Sequence, residues 1–356
     1  MDNIKEILRV LAKDLTVSQK FNYIKFNFSP RREVLNYEPV TISIVATSSC
    51  TLSCDMCPTH SPKVPRDYIH AQRNTRDMSF EMFKEIIDRF KSAMNVQIIG
   101  SGEPMLNKDF FRMVDYAASR GMKVKTFSNG TTIEENIGRI LGSRLDGITI
   151  SINGHDAQEF SRMTKMEAAL YGKIYNATKR LVEERNNISS AVKVKLSFII
   201  DSYNYKFIKD MVETGLKLGV DQVFFCNFLA CPIDGLTAEE RVLTENPKIR
   251  REIKAMMARY PESVRRKFTL PPLIDRGMRR NNCDSHFSQI RFDGNGNVSS
   301  CSMMLLNMEG NGNYRDADIW NNVFFRRMRA VFLADDAALL PEPCNSCPDN
   351  KGVPCV

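Results

Sequence analysis

The sequence holds ten cysteines, and their spacing is its strongest chemical signal. Three of them, Cys50, Cys54 and Cys57, lie close together directly after a short β-branched run. Three thiolates on one loop can hold a soft metal centre while one coordination position stays open. Zinc would need a fourth ligand, which His60 is near enough to supply, whereas an iron–sulfur cluster with one open iron needs only three. The spacing therefore favours an iron–sulfur cluster, and three unrelated buried thiols are the weaker alternative.

A second set of four cysteines is spread over the C-terminal part of the chain: Cys283, Cys301, Cys344 and Cys347. The first two flank a predicted β-hairpin, and the other two are separated by only two residues. Four thiolates in such an arrangement suit a zinc ion and a fully ligated iron–sulfur cluster equally well. The residues alone therefore predict a metal centre here and leave the metal open.

The elements that must position these cysteines alternate between strand-like and helix-like patterns from residue 41 onward. The predicted strands are Thr41–Ala46, Val96–Gly100, Val124–Phe127, Gly147–Ile152, Val194–Ile200 and Gln222–Phe228. The predicted helices between them are Phe80–Phe90, Asp109–Ser119, Ile133–Leu141, Ala168–Glu184 and Tyr205–Leu218. Such alternation predicts an α/β fold with a parallel sheet, and six units are too few for a closed eight-stranded barrel. We therefore expect an open sheet or a partial (β/α)6 barrel, with its site at the carboxyl ends of the strands.

The alternation ends after the sixth strand, which predicts a second, smaller domain. We expect an N-terminal helical extension over residues 1–40, the partial barrel over 41–260 and a small β-hairpin-plus-helix domain over 261–356. Within the extension, apolar residues at helical spacing predict a helix over residues 2–13. The polar segment 58–77 contains prolines and has no periodicity, and a loop of that length is usually functional.

Composition and charge exclude several classes of protein. With 43% hydrophobic and 26% charged residues, the chain is expected to fold rather than stay disordered. It has no secretory signal and no apolar run long enough for a membrane span, so we expect a cytoplasmic protein whose clustered cysteines bind metal. The net charge of +8 suits an anionic substrate or an acidic partner, although solvated surface is the commoner reason for basic clusters. No nucleic-acid motif accompanies that charge, so no nucleic-acid partner is expected.

The cysteine spacing after the first strand resembles the signature of the radical S-adenosylmethionine (SAM) superfamily. Further segments near the ends of the predicted strands resemble the SAM-binding motifs of that family. They supply these candidate cofactor-binding residues: Gly100, Ser101, Gly102, Glu103, Pro104, Ser128, Asn129, Ser151, Asn153 and Arg162. Ser101 stands where the family usually has glycine, and Asn153 where aspartate is common. The resemblance covers roughly residues 41–230 and implies a [4Fe–4S] cluster on the three cysteines, with SAM bound to the fourth iron.

The second cysteine set resembles the twitch domain, a shortened relative of the SPASM domain found in the same superfamily. That resemblance implies an auxiliary [4Fe–4S] cluster on Cys283, Cys301, Cys344 and Cys347, and hence two clusters in the chain. Cys355 alone is too little for a second auxiliary cluster. The layout is similar to that of 2-deoxy-scyllo-inosamine dehydrogenases, which pair the same type of barrel with one twitch cluster.

The resemblance also implies a chemistry, in which reductive cleavage of SAM yields a 5′-deoxyadenosyl radical that abstracts a hydrogen atom from a substrate. We expect a radical SAM oxidoreductase for a small polar substrate such as a sugar or aminocyclitol, with the auxiliary cluster accepting an electron. An acidic electron donor such as flavodoxin or ferredoxin is the expected protein partner. Cys226 and Cys231, near the end of the sixth strand, are the candidate catalytic thiols, although a buried thiol more often serves packing. Alternatives are an epimerase in which one of them returns a hydrogen atom, a peptide-modifying (RiPP) enzyme and, more remotely, a zinc-binding interaction protein.

Overall fold

The structure, a computed structural model, describes residues 15–64, 76–228, 239–275, 277, 283–302, 311–334, 336–341 and 344–355. The helix predicted over residues 2–13 lies outside these ranges, as does Cys231. The first described helix, α1 (Val17–Phe28), lies within the range of the predicted N-terminal helical extension, and a capping box closes its N-terminus. Thr16 accepts a hydrogen bond from the Gln19 N–H, and the Gln19 side chain accepts one from the Thr16 N–H. In the parts of the chain that the structure describes, no helix is long and apolar enough to cross a membrane.

The strands build one large sheet and one small pair. They are β1 (Thr41–Val45), β2 (Asn95–Ile99), β3 (Lys123–Ser128), β4 (Gly147–Ser151), β5 (Lys193–Ile200), β6 (Gln222–Asn227), β7 (Phe268–Thr269), β8 (Leu273–Ile274), β9 (Gln289–Phe292), β10 (Val298–Ser299) and β11 (Gly352–Val353). The large sheet has the order β10-β9-β1-β2-β3-β4-β5-β6-β7, and its pairs are parallel except for β10 with β9. The predicted partial barrel of six parallel strands is therefore confirmed as β1 to β6.

Helices connect the strands and bury their apolar faces in the same core. After α1 they are α2 (Phe80–Arg89), α3 (Phe110–Ser119), α4 (Ile133–Gly142), α5 (Ala157–Thr164), α6 (Ala168–Asn187), α7 (Ile208–Leu218), α8 (Pro247–Met257), α9 (Glu262–Arg265), α10 (Ser285–Ser288), α11 (Val323–Leu333) and α12 (Pro348–Lys351). Helix α2 illustrates the pattern: Ser79 caps it, and Phe83, Ile86 and Ile87 are fully buried against the sheet's core. The five predicted helices correspond to α2, α3, α4, α6 and α7, whereas α5 was not predicted.

The C-terminal hairpin extends the barrel sheet rather than forming a sheet of its own. Strands β9 and β10 pair as the predicted hairpin, with Val298 opposite Phe292. In addition, β9 runs parallel to β1, with Thr41 opposite Gln289 and Ile44 opposite Phe292. This pairing satisfies the backbone groups of β1, which would otherwise be an exposed edge strand. The alternation of polar and apolar residues in β9 predicts a strand but contains no signal for its partner.

A buried arginine fixes the C-terminal segment to the rest of the molecule. The Arg329 side chain in α11 is fully buried and donates hydrogen bonds to the carbonyl oxygens of Glu33, His286 and Trp320. Its guanidinium also lies 4.3 Å from the Trp320 ring centroid. One cationic side chain therefore joins the segment before β1 to the segments on both sides of the hairpin.

Candidate active site

The three N-terminal cysteines lie on the loop that follows β1, at the carboxyl edge of the sheet. Backbone N–H groups point at two of the sulfurs: Leu52 donates to Cys50 (3.5 Å) and His60 donates to Cys57 (3.3 Å). The side-chain amide of Asn129, which follows β3, also donates to the Cys50 sulfur (3.6 Å). Because N–H donors stabilise negative charge on sulfur, they would support thiolates at these positions once metal binding has removed the thiol protons.

The three thiols are electrostatically coupled. Burial, followed by the neighbouring Cys57 and Cys50, raises the pKa of Cys54 to about 12. Burial and Cys57 also raise the pKa of Cys50. Such thiols give up their protons readily only when a cation neutralises the thiolates, which is the behaviour of metal ligands. The donor set and the N–H bonds fit an iron–sulfur centre, although in the described residues no three His, Cys, Asp or Glu side chains form a ready-made site for one metal ion.

The loop after β2 is hydrogen-bonded to the cysteine loop through its backbone. The N–H of Gly102 donates to the carbonyl of Thr47 (3.3 Å), and the N–H of Glu103 donates to the carbonyl of Ser49 (2.8 Å). The two loops are so close that a Cβ on Gly102 would lie 1.9 Å from the Ser49 oxygen, and one on Gly100 would lie 2.4 Å from the Gly102 oxygen. Glycine at both positions is therefore required for the approach of the two loops.

Glu103 is fully buried and connects the loop after β2 to the turn after β3. Its carboxylate accepts hydrogen bonds from the Asn129 N–H (2.7 Å), the Ser128 hydroxyl (3.0 Å), the Thr132 hydroxyl (3.3 Å) and the Met105 N–H (3.4 Å). Burial raises the pKa of Glu103, and these donors oppose that rise. The carboxylate therefore positions Asn129, whereas direct contact between Glu103 and SAM stays a prediction.

The remaining predicted SAM contacts also lie where the strands end. Ser101 lies between the two glycines, Pro104 begins a short 3-10 turn, and Ser128 is the last residue of β3. Ser151 ends β4, and its hydroxyl lies 2.9 Å from the Ser197 hydroxyl on β5.

Asn153 lies just beyond the end of β4. It has a left-handed backbone (φ 47°) and accepts a hydrogen bond from the Ile199 N–H (3.2 Å). A non-glycine residue in this conformation is a feature of many functional sites.

A buried ionic cluster lies at the end of β5, and three of its members, Glu159, Asp201 and Arg241, were missed by the sequence analysis. Arg162 in α5 donates to Glu159 (2.7 Å) and to Asp201 (3.2 Å), and its pKa is raised, chiefly by the bond to Glu159. Arg241 donates to the same Asp201 carboxylate (2.9 Å), which is fully buried. The position of Asp201, directly after a predicted strand, was a usable signal, whereas nothing in the sequence singled out Arg241.

The four C-terminal cysteines lie on both sides of the β9–β10 hairpin. Cys283 precedes the hairpin and is buried, and Cys301 follows it and is partly buried. Cys344 and Cys347 share one turn, in which the Cys347 N–H donates to the Cys344 carbonyl (3.3 Å). Binding of all four to one cluster stays a prediction.

Two further cysteines have contrasting surroundings. Cys226 lies on β6 in register with Ile199, and burial raises its pKa to about 11. Cys355 is a free thiol in a packed part of the C-terminal segment. It is 2% exposed, donates a hydrogen bond to the Pro271 carbonyl (2.6 Å) and follows strand β11.

The fold and the position of this site define a partial α/β barrel with a cysteine loop at the carboxyl ends of its first strands. Residues 44–195 match the family model described as "Radical SAM superfamily". This segment, which begins in β1 and ends in β5, is similar to the radical SAM superfamily.

Sequence relatives and solved structures extend the comparison. The mycofactocin maturase MftC of Mycolicibacterium smegmatis is 25% identical over 184 residues, which are 51% of this chain and 43% of the relative. The S-adenosylmethionine-dependent nucleotide dehydratase of Selenomonas ruminantium is 22% identical over 183 residues, 50% of this chain and 62% of the relative. The matches therefore span less than two thirds of either relative.

Solved structures of Streptococcus suis SuiB have the same fold. The SAM-bound form superposes with a TM-score of 0.65 at 12% identity, covering 92% of this chain and 77% of SuiB. The form bound to the precursor peptide SuiA superposes with a TM-score of 0.63 at 13% identity, covering 92% and 78%.

Proposed function

We propose that Cys50, Cys54 and Cys57 hold a [4Fe–4S] cluster to which SAM binds. The observation that carries this proposal is the coupling of three thiols, aided by N–H donors to two of the sulfurs, on the loop after β1. A bound cluster and SAM would supply the one-electron cleavage that generates a 5′-deoxyadenosyl radical for hydrogen abstraction. The chain itself holds the thiolates and positions SAM.

The residues around the cysteine loop would hold the cluster and position SAM, each in a different way. In this proposal the amino group of SAM binds to the backbone of the turn from Gly100 to Gly102, which packs closely against the cysteine loop. Glu103 fixes Asn129, which in turn donates to the Cys50 sulfur (3.6 Å). In this proposal the ribose of SAM binds near Ser128 and Asn129. Because Glu103, Asn129 and Cys50 form one chain of hydrogen bonds, cluster and SAM sites are positioned together.

The SAM carboxylate is assigned to Arg162 in the same proposal. Arg162 is already oriented by Glu159 and Asp201, and its side chain is still about one third exposed (34%). A guanidinium held by carboxylates on one side can offer its other donors to a ligand. Ser151 and Asn153, at the end of β4, complete the set.

For the C-terminal cysteines we infer an auxiliary [4Fe–4S] cluster on Cys283, Cys301, Cys344 and Cys347. This assignment is supported by the positions of the four cysteines, because two of them border the hairpin and the other two share one turn. Such a cluster suits net oxidation of a small polar substrate, because it can accept the electron that the substrate radical gives up. An acidic flavodoxin or ferredoxin would deliver the first electron to this basic chain.

Modification of a peptide is the second candidate function. It is favoured by the relation to a mycofactocin maturase and by the fold shared with SuiB, which binds the precursor peptide SuiA. An epimerase that uses Cys226 or Cys231 as hydrogen-atom donor is the third. The support for Cys226 is its place on β6, on the side of the sheet that faces away from the buried residues Val223 and Phe225.

Iron analysis of the reconstituted chain tests the metal assignments. After anaerobic reconstitution we expect about eight iron atoms per chain, in two [4Fe–4S] clusters. The double variant Cys283→Ala/Cys344→Ala should retain about four of them, because only the auxiliary cluster is lost. Stoichiometric zinc without iron would contradict both assignments, and an unchanged iron content in the variant would contradict the auxiliary cluster alone.

A further inference from the structure

The inner face of the barrel sheet is unusually polar. In β3, Val124, Thr126 and Ser128 are buried, whereas Lys123, Lys125 and Phe127 are exposed on the opposite face. The interior of a closed α/β barrel is normally filled by branched apolar side chains. In this protein the inner face, which carries Lys123, Lys125 and Phe127, encloses a cavity of about 650 Å³. The cavity is lined by residues of β2 to β7, four of which are lysines.

Two of these lysines lie at the amino ends of their strands and are neutralised. Lys123 pairs with Asp146 (3.1 Å), and Lys193 pairs with Asp221 (3.0 Å). Both side chains are at least half exposed, so these pairs are ordinary surface ion pairs. These two ion pairs leave little net charge at the amino-terminal end of the barrel.

The other two lysines lie one layer deeper and form no ion pair with a carboxylate of the described residues. The Lys195 ammonium donates to the neutral side-chain amide of Gln222 (2.7 Å). Among the residues that the structure describes, no Asp or Glu lies within ion-pair distance of Lys125 or Lys195. Burial, followed by the charge of Lys125, lowers the pKa of Lys195, so the two cations sense each other. The charge of Asp221 raises the pKa of Lys195, but burial and Lys125 together outweigh it.

The register of the sheet leaves space between these two cations. Lys125 is paired with Gly147 on β4, and Lys195 is paired with Thr149. Because Gly147 has no side chain and Thr149 a small one, the strand between the lysines leaves the cavity open. Two aromatic side chains on the same face, Phe127 and Phe224, are 41% and 37% exposed. Phe127 lies one layer beyond Lys125 and level with Lys195, and Phe224 lies one layer beyond Lys195. The cavity thus combines cationic groups and two aromatic side chains with a lining that is otherwise mostly polar and uncharged.

We propose that Lys125 and Lys195 bind an oxyanion of the substrate, a phosphate or a carboxylate, inside the barrel. Phe127 and Phe224 then contact the apolar part of the same molecule and direct it toward the carboxyl edge, where the cysteine loop lies. An anion removes the repulsion between the exposed Lys125 ammonium and the partly buried Lys195 ammonium, which accounts for lysines in a place that normally holds aliphatic side chains. This inference rests on the proposed function, because it names the substrate class of the same enzyme.

Anion binding to the full-length chain tests the site. Pyrophosphate and tricarballylate serve as probes for the phosphate and the carboxylate, titrated by calorimetry at low ionic strength. We expect the wild type to bind at least one of them, and the preferred probe tells which oxyanion the substrate carries. The double variant Lys125→Met/Lys195→Met should bind that probe at least about tenfold more weakly, because two charge-assisted bonds are lost. Lys217→Met, an exposed lysine on α7, removes one positive charge elsewhere and should leave the affinity nearly unchanged.

Protection from reductive methylation gives a second measurement on the wild type, which does not depend on the folding of any variant. The bound probe should slow modification of Lys125 and Lys195 several-fold and leave Lys217 unaffected. Binding of neither probe, or equal affinity in the double variant and the wild type, would overturn the site. These measurements need no SAM cleavage, so a failure of the proposed radical chemistry would appear separately, as absence of 5′-deoxyadenosine.

Discussion

At the scale of single residues, Glu103 is the side chain on which most of the site's order depends. It is fully buried and joins the loop after β2 to the turn after β3. The sequence pointed to this residue through its place in the Gly-Glu-Pro segment and predicted contact with SAM. Its observed bonds go to Ser128, Asn129, Thr132 and Met105, partners that the motif did not reveal, and its contact with SAM stays a prediction.

Glu103→Gln should destabilise the fold by about 1 to 3 kcal/mol, because a buried donor is left without an acceptor. Whichever way the new amide turns, its NH2 group faces a backbone N–H, that of Asn129 or that of Met105. Chemical denaturation measures the change. Glu135→Gln, an exposed glutamate in the first turn of α4, is the matched control and should shift stability by less than about 0.5 kcal/mol. Equal effects of the two substitutions would contradict the role assigned to Glu103.

At the scale of elements, the site depends on the contact between the loops that follow β1 and β2. The backbone bonds from Gly102 and Glu103 to the cysteine loop carry no side-chain signature, so the sequence predicted both loops but not their contact. The same limit applies to the arginine cluster of Arg162 and Arg241 on Asp201, whose members are far apart in the chain. Periodicity predicts each element because it depends on neighbours in sequence, whereas these contacts join separate elements.

Gly102→Ala should displace the cysteine loop, because the new Cβ would lie 1.9 Å from the Ser49 carbonyl oxygen. We expect the variant to bind less iron on reconstitution, as measured by iron analysis and absorbance. Gly138→Ala in α4 is the control, because a Cβ there meets no atom within 4 Å, and it should stabilise the helix by up to about 1 kcal/mol. Full iron binding by the Gly102 variant would show that the two loops need not approach so closely.

At the scale of the whole molecule, the C-terminal segment is joined to the barrel by strand pairing and by buried polar groups. The predicted strands and hairpin are confirmed, but the parallel pairing of β9 with β1 was not predicted. Sequence periodicity describes the faces of a strand and not its neighbour, which depends on which edge the rest of the chain leaves open. The predicted division at residue 261 therefore stays a prediction, and the hairpin that follows it is part of the barrel sheet.

His286 makes this junction sensitive to acid. It is 1% exposed and lies 4.6 Å, ring to ring, from Phe332 of α11. Burial and the nearby charge of Arg329 lower the pKa of His286 to about 3. Between pH 6.5 and that value the unfolded chain takes up a proton that the folded chain excludes, so stability falls as the pH falls.

For His286→Leu we expect a smaller loss of stability in acid than for the wild type. Between pH 7.5 and pH 4.5 the free energy of unfolding should fall by about 2 to 3 kcal/mol more in the wild type than in the variant. The reason is that pH 4.5 lies about two pH units below the pKa of a histidine in the unfolded chain. Denaturation curves at both values measure this difference, and the comparison at pH 7.5, where His286 is neutral in both states, is the internal control. Parallel losses in the two proteins would mean that His286 does not couple folding to protonation.

The central claim is that the cysteine loop after β1 holds the cluster that cleaves SAM. Its most direct test is the formation of 5′-deoxyadenosine from SAM by the reconstituted chain under anaerobic reduction. We predict that the wild type forms 5′-deoxyadenosine and that Cys54→Ala forms none. Cys355→Ala should retain the activity, because it removes a cysteine outside both predicted clusters. Formation of 5′-deoxyadenosine by the Cys54 variant, or its absence from a wild-type chain that carries its full iron, would contradict the account.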